Sequence, residues 1–370
     1  MKELAMHRWI AAGLGIVLTL ASPALWAAAF HVVFINPGRS DEPFWRSATR
    51  FAQPAAEQLG IKLEVLYAER DHLKMIEMVR EVCARPQRPD YLLLVNEKLA
   101  AGEMLKIAEN AGVKSLVVYS GMAESQAAYG KPRQKFRHWL GSVTTNATDA
   151  GRLTAEELVR QALQQRIVAD DGKVHVAVIA GDKATPTGTQ RLQGAVDAFA
   201  AQPSVVLEQV VFGNWDQARA AEQAAALLLR YPKLNAFWAA SDLMAFGAID
   251  AAEAAGRKAG ADLLVSAINN SPPVLQARVQ GRIAALAGGH FTTAAWALVM
   301  LHDYHHGKDF ARDGVEVVLP LFVMFDEERA QRFLTRFGDE DFSGIDFRAF
   351  SRHLNPHLRG YQFGLLPALK

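Results

Sequence analysis

HVVFINPGRSDEPFW (31–45) runs from a short β-rich pattern into a polar, aromatic turn and then into a helical pattern. The unit recurs. KLEVLYA (62–68), DYLLLVN (90–96) and KSLVVYS (114–120) read as further strands. Between them apolar residues fall at helical spacing, as Met75, Ile76, Val79 and Val82 do. After HWLGSV (138–143) the alternation resumes with VHVAVIAG (174–181), SVVLEQVVF (204–212), LNAFWAA (234–240) and DLLVSAIN (262–269). Gly60, Gly112 and Gly256 sit where helix C-terminal caps belong. Such alternation implies parallel sheets with helices on both faces. Two successive runs predict an α/β fold of two doubly wound parallel-sheet lobes joined by a hinge. Pro54 is expected to kink or end the first helix, and Gly121–Arg137 reads as a surface loop between the lobes.

The N-terminus says where the protein works. Lys2 and Arg8 precede an apolar run from Trp9 to Ala21, Pro23 breaks it, and Ala27 to Ala29 close it with an A-x-A pattern. This is the order of a secretory signal peptide, 1–29, on a run too short for a comfortable membrane span. No cysteine follows it, which argues against a lipid anchor. About 340 residues remain, enough for two domains. Half the chain is apolar and 21% charged, an ordinary globular composition. Loss of Lys2, Arg8 and Glu3 takes the formal charge from +1 to zero. A neutral chain without basic clusters argues against nucleic acid or anionic lipid as partner. Cys83 is the only cysteine, so no intramolecular disulfide forms, and it reads as a small buried hydrophobe.

In a parallel sheet, ligands bind beyond the carboxyl ends of the strands. The residues just past the strands here are polar or aromatic: Ser40, Asp41, Phe44 and Trp45, then Asn96 and Glu97. In the second half come Asp182 to Thr189, Asn214 to Asp216, Ser241 and Asp242, and Asn269 and Asn270. Each also suits a helix cap or turn. Their recurrence at six strand ends points to a shared cleft.

NPGRSDEPFW (36–45), TNATDAG (145–151), GTQRLQGA (188–195), FWAASDLMAFGA (237–248) and SAINNSP (266–272) stand in this order. With them, the chain resembles the type I periplasmic solute-binding proteins, in the ribose, galactose and autoinducer-2 branch, from His31 to about Val318. The resemblance implies a two-lobed clamp on a small polar ligand, usually a sugar. It places Phe44 and Trp45 on the family's aromatic pair and Trp215 on its second-lobe aromatic. Asp41, Asn96, Glu97, Thr189, Arg191, Asp242, Asn269 and His290 fall in the expected ligand-binding set. There are departures. An arginine is common near Thr189, whereas Arg191 stands nearby and reads equally as bonding within its own helix turn. The usual aspartate is Asn269 or Asn270, and His290 follows two glycines where glutamine is common. Losing a bidentate donor and a charged acceptor argues against simple ribose or galactose. His290 reads either as a pH-sensitive contact or as a hinge residue apart from the ligand.

No phosphate-binding loop, nucleophile elbow or dinucleotide fingerprint is present in the sequence, so neither an enzyme nor a cofactor is expected. His302 and His306 have a spacing that can bind zinc, but they also suit a helix end before Gly307. Asn146-Ala147-Thr148 is a glycosylation sequon by letters and reads better as a helix cap. The boundaries expected are 30–143 with 290–315 for lobe 1, 144–289 with 316–330 for lobe 2, and 331–370 as a C-terminal extension. The extension reads as a strap on one lobe or as a docking surface for a membrane partner. The function expected is periplasmic: a monomeric clamp that delivers ligand to an ABC permease. The alternative is a sensor docking on a transmembrane receptor.

Overall fold

The computed structural model describes residues 30–365; the signal-peptide reading falls on residues 1–29, outside them. Lobe 1 opens with β1 (Phe30–Asn36), α1 (Pro43–Gln58), β2 (Ile61–Tyr67), α2 (His72–Ala84) and β3 (Tyr91–Leu94). It continues through α3 (Ala101–Ala111), β4 (Lys114–Tyr119) and β5 (Trp139–Thr145). The chain then crosses to lobe 2: α4 (Ala147–Gln165), β6 (Val174–Ala180), α5 (Pro186–Ala200), β7 (Val205–Phe212) and α6 (Gln217–Arg230). β8 (Ala236–Ala239), α7 (Asp242–Ala254), β9 (Leu264–Ile268), α8 (Pro272–Val279) and β10 (Ala285–Gly288) complete that run. α9 (Thr293–His305) and β11 (Glu316–Leu319) return to lobe 1, and β12 (Val323–Met324) and α10 (Glu327–Phe337) go back to lobe 2.

Each lobe holds a six-stranded sheet, in the orders β11-β5-β4-β3-β1-β2 and β12-β10-β9-β8-β6-β7. All pairs are parallel except β10 with β12. The central strands are apolar on both faces because helices cover both: Val32 to Ile35, Leu92 to Leu94 and Val176 to Ile179 are wholly buried. Order reverses at β1 in one sheet and β6 in the other, which opens a crevice at the carboxyl edge of each. Cys83 is buried, and burial raises its thiol pKa. Asn146 caps α4 by accepting from the Asp149 N–H at 3.1 Å.

Four expectations change. β11 pairs with β5, so residues 316–319 belong to lobe 1, and the third crossover runs through Pro320 to Phe322. As an edge strand it exposes Glu316 and Val318, which hides its strand pattern in the sequence. The 121–137 segment lies within lobe 1, between β4 and β5. α1 continues through Pro54 to Gln58. The extension runs over both lobes. α10 turns Ala330, Phe333 and Phe337 inward and packs on α8, where Arg278 donates to the Phe325 carbonyl at 3.0 Å. The chain then reaches lobe 1. There Gln58 donates to the Ile345 carbonyl at 2.7 Å, and Phe342 and Phe347 pack edge-on against Phe51. Finally the buried Asp303 carboxylate on α9 accepts from Ser351 Oγ (2.5 Å), the N–H groups of Arg352 (2.6 Å) and His353 (3.1 Å), and Tyr361 (3.0 Å).

Candidate functional site

The carboxyl edges of the two sheets face each other across the hinge, and the turns leaving them enclose a cavity. It holds about 600 Å³ of atom-free space, mouth included. From lobe 1, Pro43 starts α1 and sets Phe44 and Trp45 on its first turn. Trp45 packs edge-on against Phe44 (4.9 Å) and Tyr119 (5.1 Å). Gly38 is required behind it, because a Cβ there would lie 2.0 Å from Trp45 Cδ1. Four lining residues, Arg70, Tyr119, Trp215 and Asn269, hold left-handed φ of 63° to 129°. Such backbone persists where the surroundings over-determine it, commonly at functional sites.

Two charged networks line the cavity. In lobe 1, Arg70 donates from Nε to Glu42 (2.9 Å), from Nη2 to the same carboxylate, and from Nη1 to Glu97 (2.9 Å). Burial opposes the Arg70 charge, but Glu42 and Glu97 outweigh it and raise its pKa. Burial raises the Glu97 pKa despite Arg70. In lobe 2, burial likewise raises the Asp242 pKa, although Ser271 Oγ (2.6 Å), Asn269 Nδ2 (2.7 Å) and the Leu243 N–H donate to it. Asp182 accepts from Trp215 Nε1 at 2.7 Å and from Thr185, which fixes the indole.

Arg191, unlike Arg70, has no carboxylate within ion-pair distance among the described residues. Its Nη1 donates to the Ala240 carbonyl and its Nη2 to His290 Nε2, both at 2.8 Å, rather than within its own helix turn. Burial, with Arg70 adding to it and Asp242 opposing, pulls its pKa down to about 9, which leaves it cationic at neutral pH. Since Arg191 can only donate, His290 accepts at Nε2 and carries its proton on Nδ1. Both Arg191 Nε and His290 Nδ1 are buried without a protein partner. Burial and the Arg191 charge hold the His290 pKa well below the ordinary value. The imidazole is therefore neutral near pH 7. Phe44 stacks on one side of it at 4.7 Å, and Phe322 of the third crossover lies at 4.5 Å.

The lobes touch around this cavity. Thr185 Oγ1 accepts from the Lys98 N–H at 3.1 Å, the Thr187 N–H donates to Ser120 Oγ at 3.3 Å, and Thr187 Oγ1 donates to the Tyr119 carbonyl at 3.3 Å. The clamp is closed.

Of the sequence candidates, Phe44, Trp45, Glu97, Arg191, Trp215, Asp242, Asn269 and His290 line the cavity. Three others do not. Asp41 is exposed beside Arg39. Asn96 is buried in support, donating to the Gly121 carbonyl and Gln126 and accepting from the Ala101 N–H. Thr189 donates to the Pro186 carbonyl, and Thr185 and Thr187 line the site in its place. Sequence reasoning missed Glu42, Arg70 and Tyr119. The signal is their position: Arg70 follows β2 and Tyr119 ends β4. Among the described residues no three His, Cys, Asp or Glu side chains converge on a metal position; His302 faces Asp303, and His306 bonds back to the His302 carbonyl.

A family profile described as a periplasmic binding protein domain matches residues 32–309. A solved periplasmic sugar-binding protein from Pseudomonas fluorescens is 39% identical with a TM-score of 0.83, covering 92% of this chain and 99% of that one. The ribose import binding protein of Salmonella typhimurium is 25% identical over 66% of this chain and 74% of its own. The D-allose-binding periplasmic protein of Escherichia coli is 23% identical over 65% and 73%.

Proposed function

Because the chain belongs to the periplasmic binding protein family, we propose that it is an exported solute-binding protein that closes on a small sugar and delivers it to an ABC permease. The observation that carries the reading is a closed interlobe cavity whose lining residues include three buried N–H groups, Trp45 Nε1, Arg191 Nε and His290 Nδ1, without a protein acceptor. A buried donor left unpaired costs roughly 1–3 kcal/mol, and a sugar oxygen is an acceptor of the right kind. Phe44, Trp45 and Trp215 supply apolar area for ring C–H faces, while Glu97, Asp242 and Asn269 supply planar polar groups. Relatives named for ribose import and allose binding support a monosaccharide, and they do not favour sensing over transport. Residues 1–29 act as the export signal in this reading. In this reading the clamp works as a monomer and releases its ligand unchanged.

The test is a thermal-shift panel on refolded, ligand-stripped protein with pentoses, hexoses in both ring forms, and polyols. A ligand that prefers the native state raises the melting temperature by mass action. One sugar class is expected to give a saturable shift, confirmed by calorimetry with the sugar recovered intact. No shift across the panel would overturn the sugar reading.

A further inference from the structure

Arg70 holds an unusual place between the lobes. Its backbone is in the left-handed region, φ 64°, directly after Glu69 at 57°. Neither is glycine, and the turn after β1 holds both: the Glu69 N–H donates to the Gly38 carbonyl at 3.0 Å and the Arg70 N–H to the Pro37 carbonyl at 2.8 Å. The side chain is equally fixed. Three of its five N–H groups go to the buried Glu42 and Glu97 carboxylates, and Glu42 is itself oriented by the Arg39 N–H at 3.3 Å. The guanidinium so held lies 6.0 Å from the Trp45 ring centre in its own lobe and 5.7 Å from that of Trp215 in the other. A cation within about 6 Å of an indole centre is attracted to it, more strongly when water is excluded. Trp215 is in turn held by Asp182 and has no room to retreat, since a Cβ on Gly181 would lie 2.2 Å from its ring.

We propose that Arg70 is a closure residue: positioned by Glu42 and Glu97, it presents a preorganised cation to Trp215 across the cleft and holds a measurable share of the protein closed without ligand. This rests on the clamp reading above, and it adds a consequence. A binding site that is closed only part of the time has its apparent affinity reduced by the closed fraction. Arg70 therefore sets how tightly a given ligand is held, although its paired nitrogens are engaged with protein.

The experiment needs no sugar. Small-angle scattering of the ligand-stripped mature protein gives the radius of gyration for wild type, Arg70→Met, Trp215→Leu and the double variant. Each single substitution is expected to enlarge the particle as the closed-to-open ratio falls about three- to tenfold, and the double variant is expected to open no further than either. Arg70→Lys keeps the charge but loses the forked grip of two carboxylates, so it is expected to open as well. A wild-type radius in Arg70→Met, or additive effects of the two substitutions, would overturn the proposal. If Arg70→Met does not fold, Glu42→Gln, which keeps the volume and removes one carboxylate charge, must open the particle in the same direction. Failure of the sugar panel would leave this measurement standing, and a null scattering result would leave the sugar reading standing.

Discussion

Arg191 Nη2 lies 2.8 Å from His290 Nε2, so a buried guanidinium and a buried imidazole share one hydrogen bond in which only the arginine carries charge. The pair joins α5 of lobe 2 to the second crossover. Lobe position and cavity electrostatics therefore meet at one contact.

The pH dependence of stability follows from that contact. In the unfolded chain His290 takes up a proton near pH 6.5, whereas the folded chain does so only well below that. Its folded-state pKa is depressed, so stability is whole above about 6.5 and declines as pH falls through and below it, by up to about 1.4 kcal/mol per pH unit. His290→Gln can still accept from Arg191 and does not titrate. Melting temperatures at pH 7.5 and 5.0 are expected to fall less in this variant than in wild type; equal falls would contradict the assignment.

Trp215→Ala is expected to weaken ligand binding more than tenfold and to lower stability by about 3–5 kcal/mol, the usual range for truncating a buried large aromatic. The indole packs under Gly181 and Gly188 and satisfies Asp182. Trp45→Ala is expected to act in the same direction from lobe 1. Calorimetry with the sugar identified by thermal shift checks both, and unchanged affinity in the two variants would refute the pocket assignment.

Gly38→Ala is a smaller change with a sharper readout. The added methyl would meet Trp45 Cδ1 at 2.0 Å, so the indole must leave its position against Phe44 and Tyr119. Overpacking of this kind costs about 1–3 kcal/mol. Altered tryptophan fluorescence with at least tenfold weaker binding is the expected result, and native affinity would show that Trp45 does not face the ligand.

Asp303→Ala is expected to release the end of the extension. Burial works to raise the Asp303 pKa, but hydrogen bonds from His302, Ser351 and the backbone of His353 and Arg352 outweigh it and hold the carboxyl below its usual range. The contribution is present above the unfolded value of about 3.9 and is lost as pH falls through the folded one. Faster limited proteolysis between residues 343 and 365 at pH 7, matched in wild type only under stronger acid, is the expected outcome. Identical cleavage of variant and wild type at pH 7 would show that Asp303 does not anchor the segment.

The repeating strand-helix units were legible because buried parallel strands are apolar on both faces and short, as Val32 to Ile35 and Val176 to Ile179 are. β11 was not legible, since pairing on one side only leaves Val318 exposed and breaks the pattern. Strand ends pointed to Phe44, Trp45, Trp215, Asp242 and Asn269, all of which line the cavity. Arg191 and His290 are both visible as candidates, but their mutual bond spans 99 residues and no local pattern encodes it. Asn96 and Thr189 show the opposite failure. Both are polar residues near strand ends that the backbone uses for itself.

The path of the extension fixes an order of assembly. Lobe 2 draws most of its sheet from one continuous stretch between β6 and β10, whereas Phe51 and Trp296 of lobe 1, which pack on each other, take further aromatic cover from Phe342, Phe347, Phe350 and Phe363. A chain emerging N-terminus first can therefore finish most of lobe 2 while the first-made lobe still shows an aromatic face to solvent. Residues 342–363 must arrive before that face is covered. A stall or premature stop near the C-terminus would thus harm the half of the molecule synthesised first.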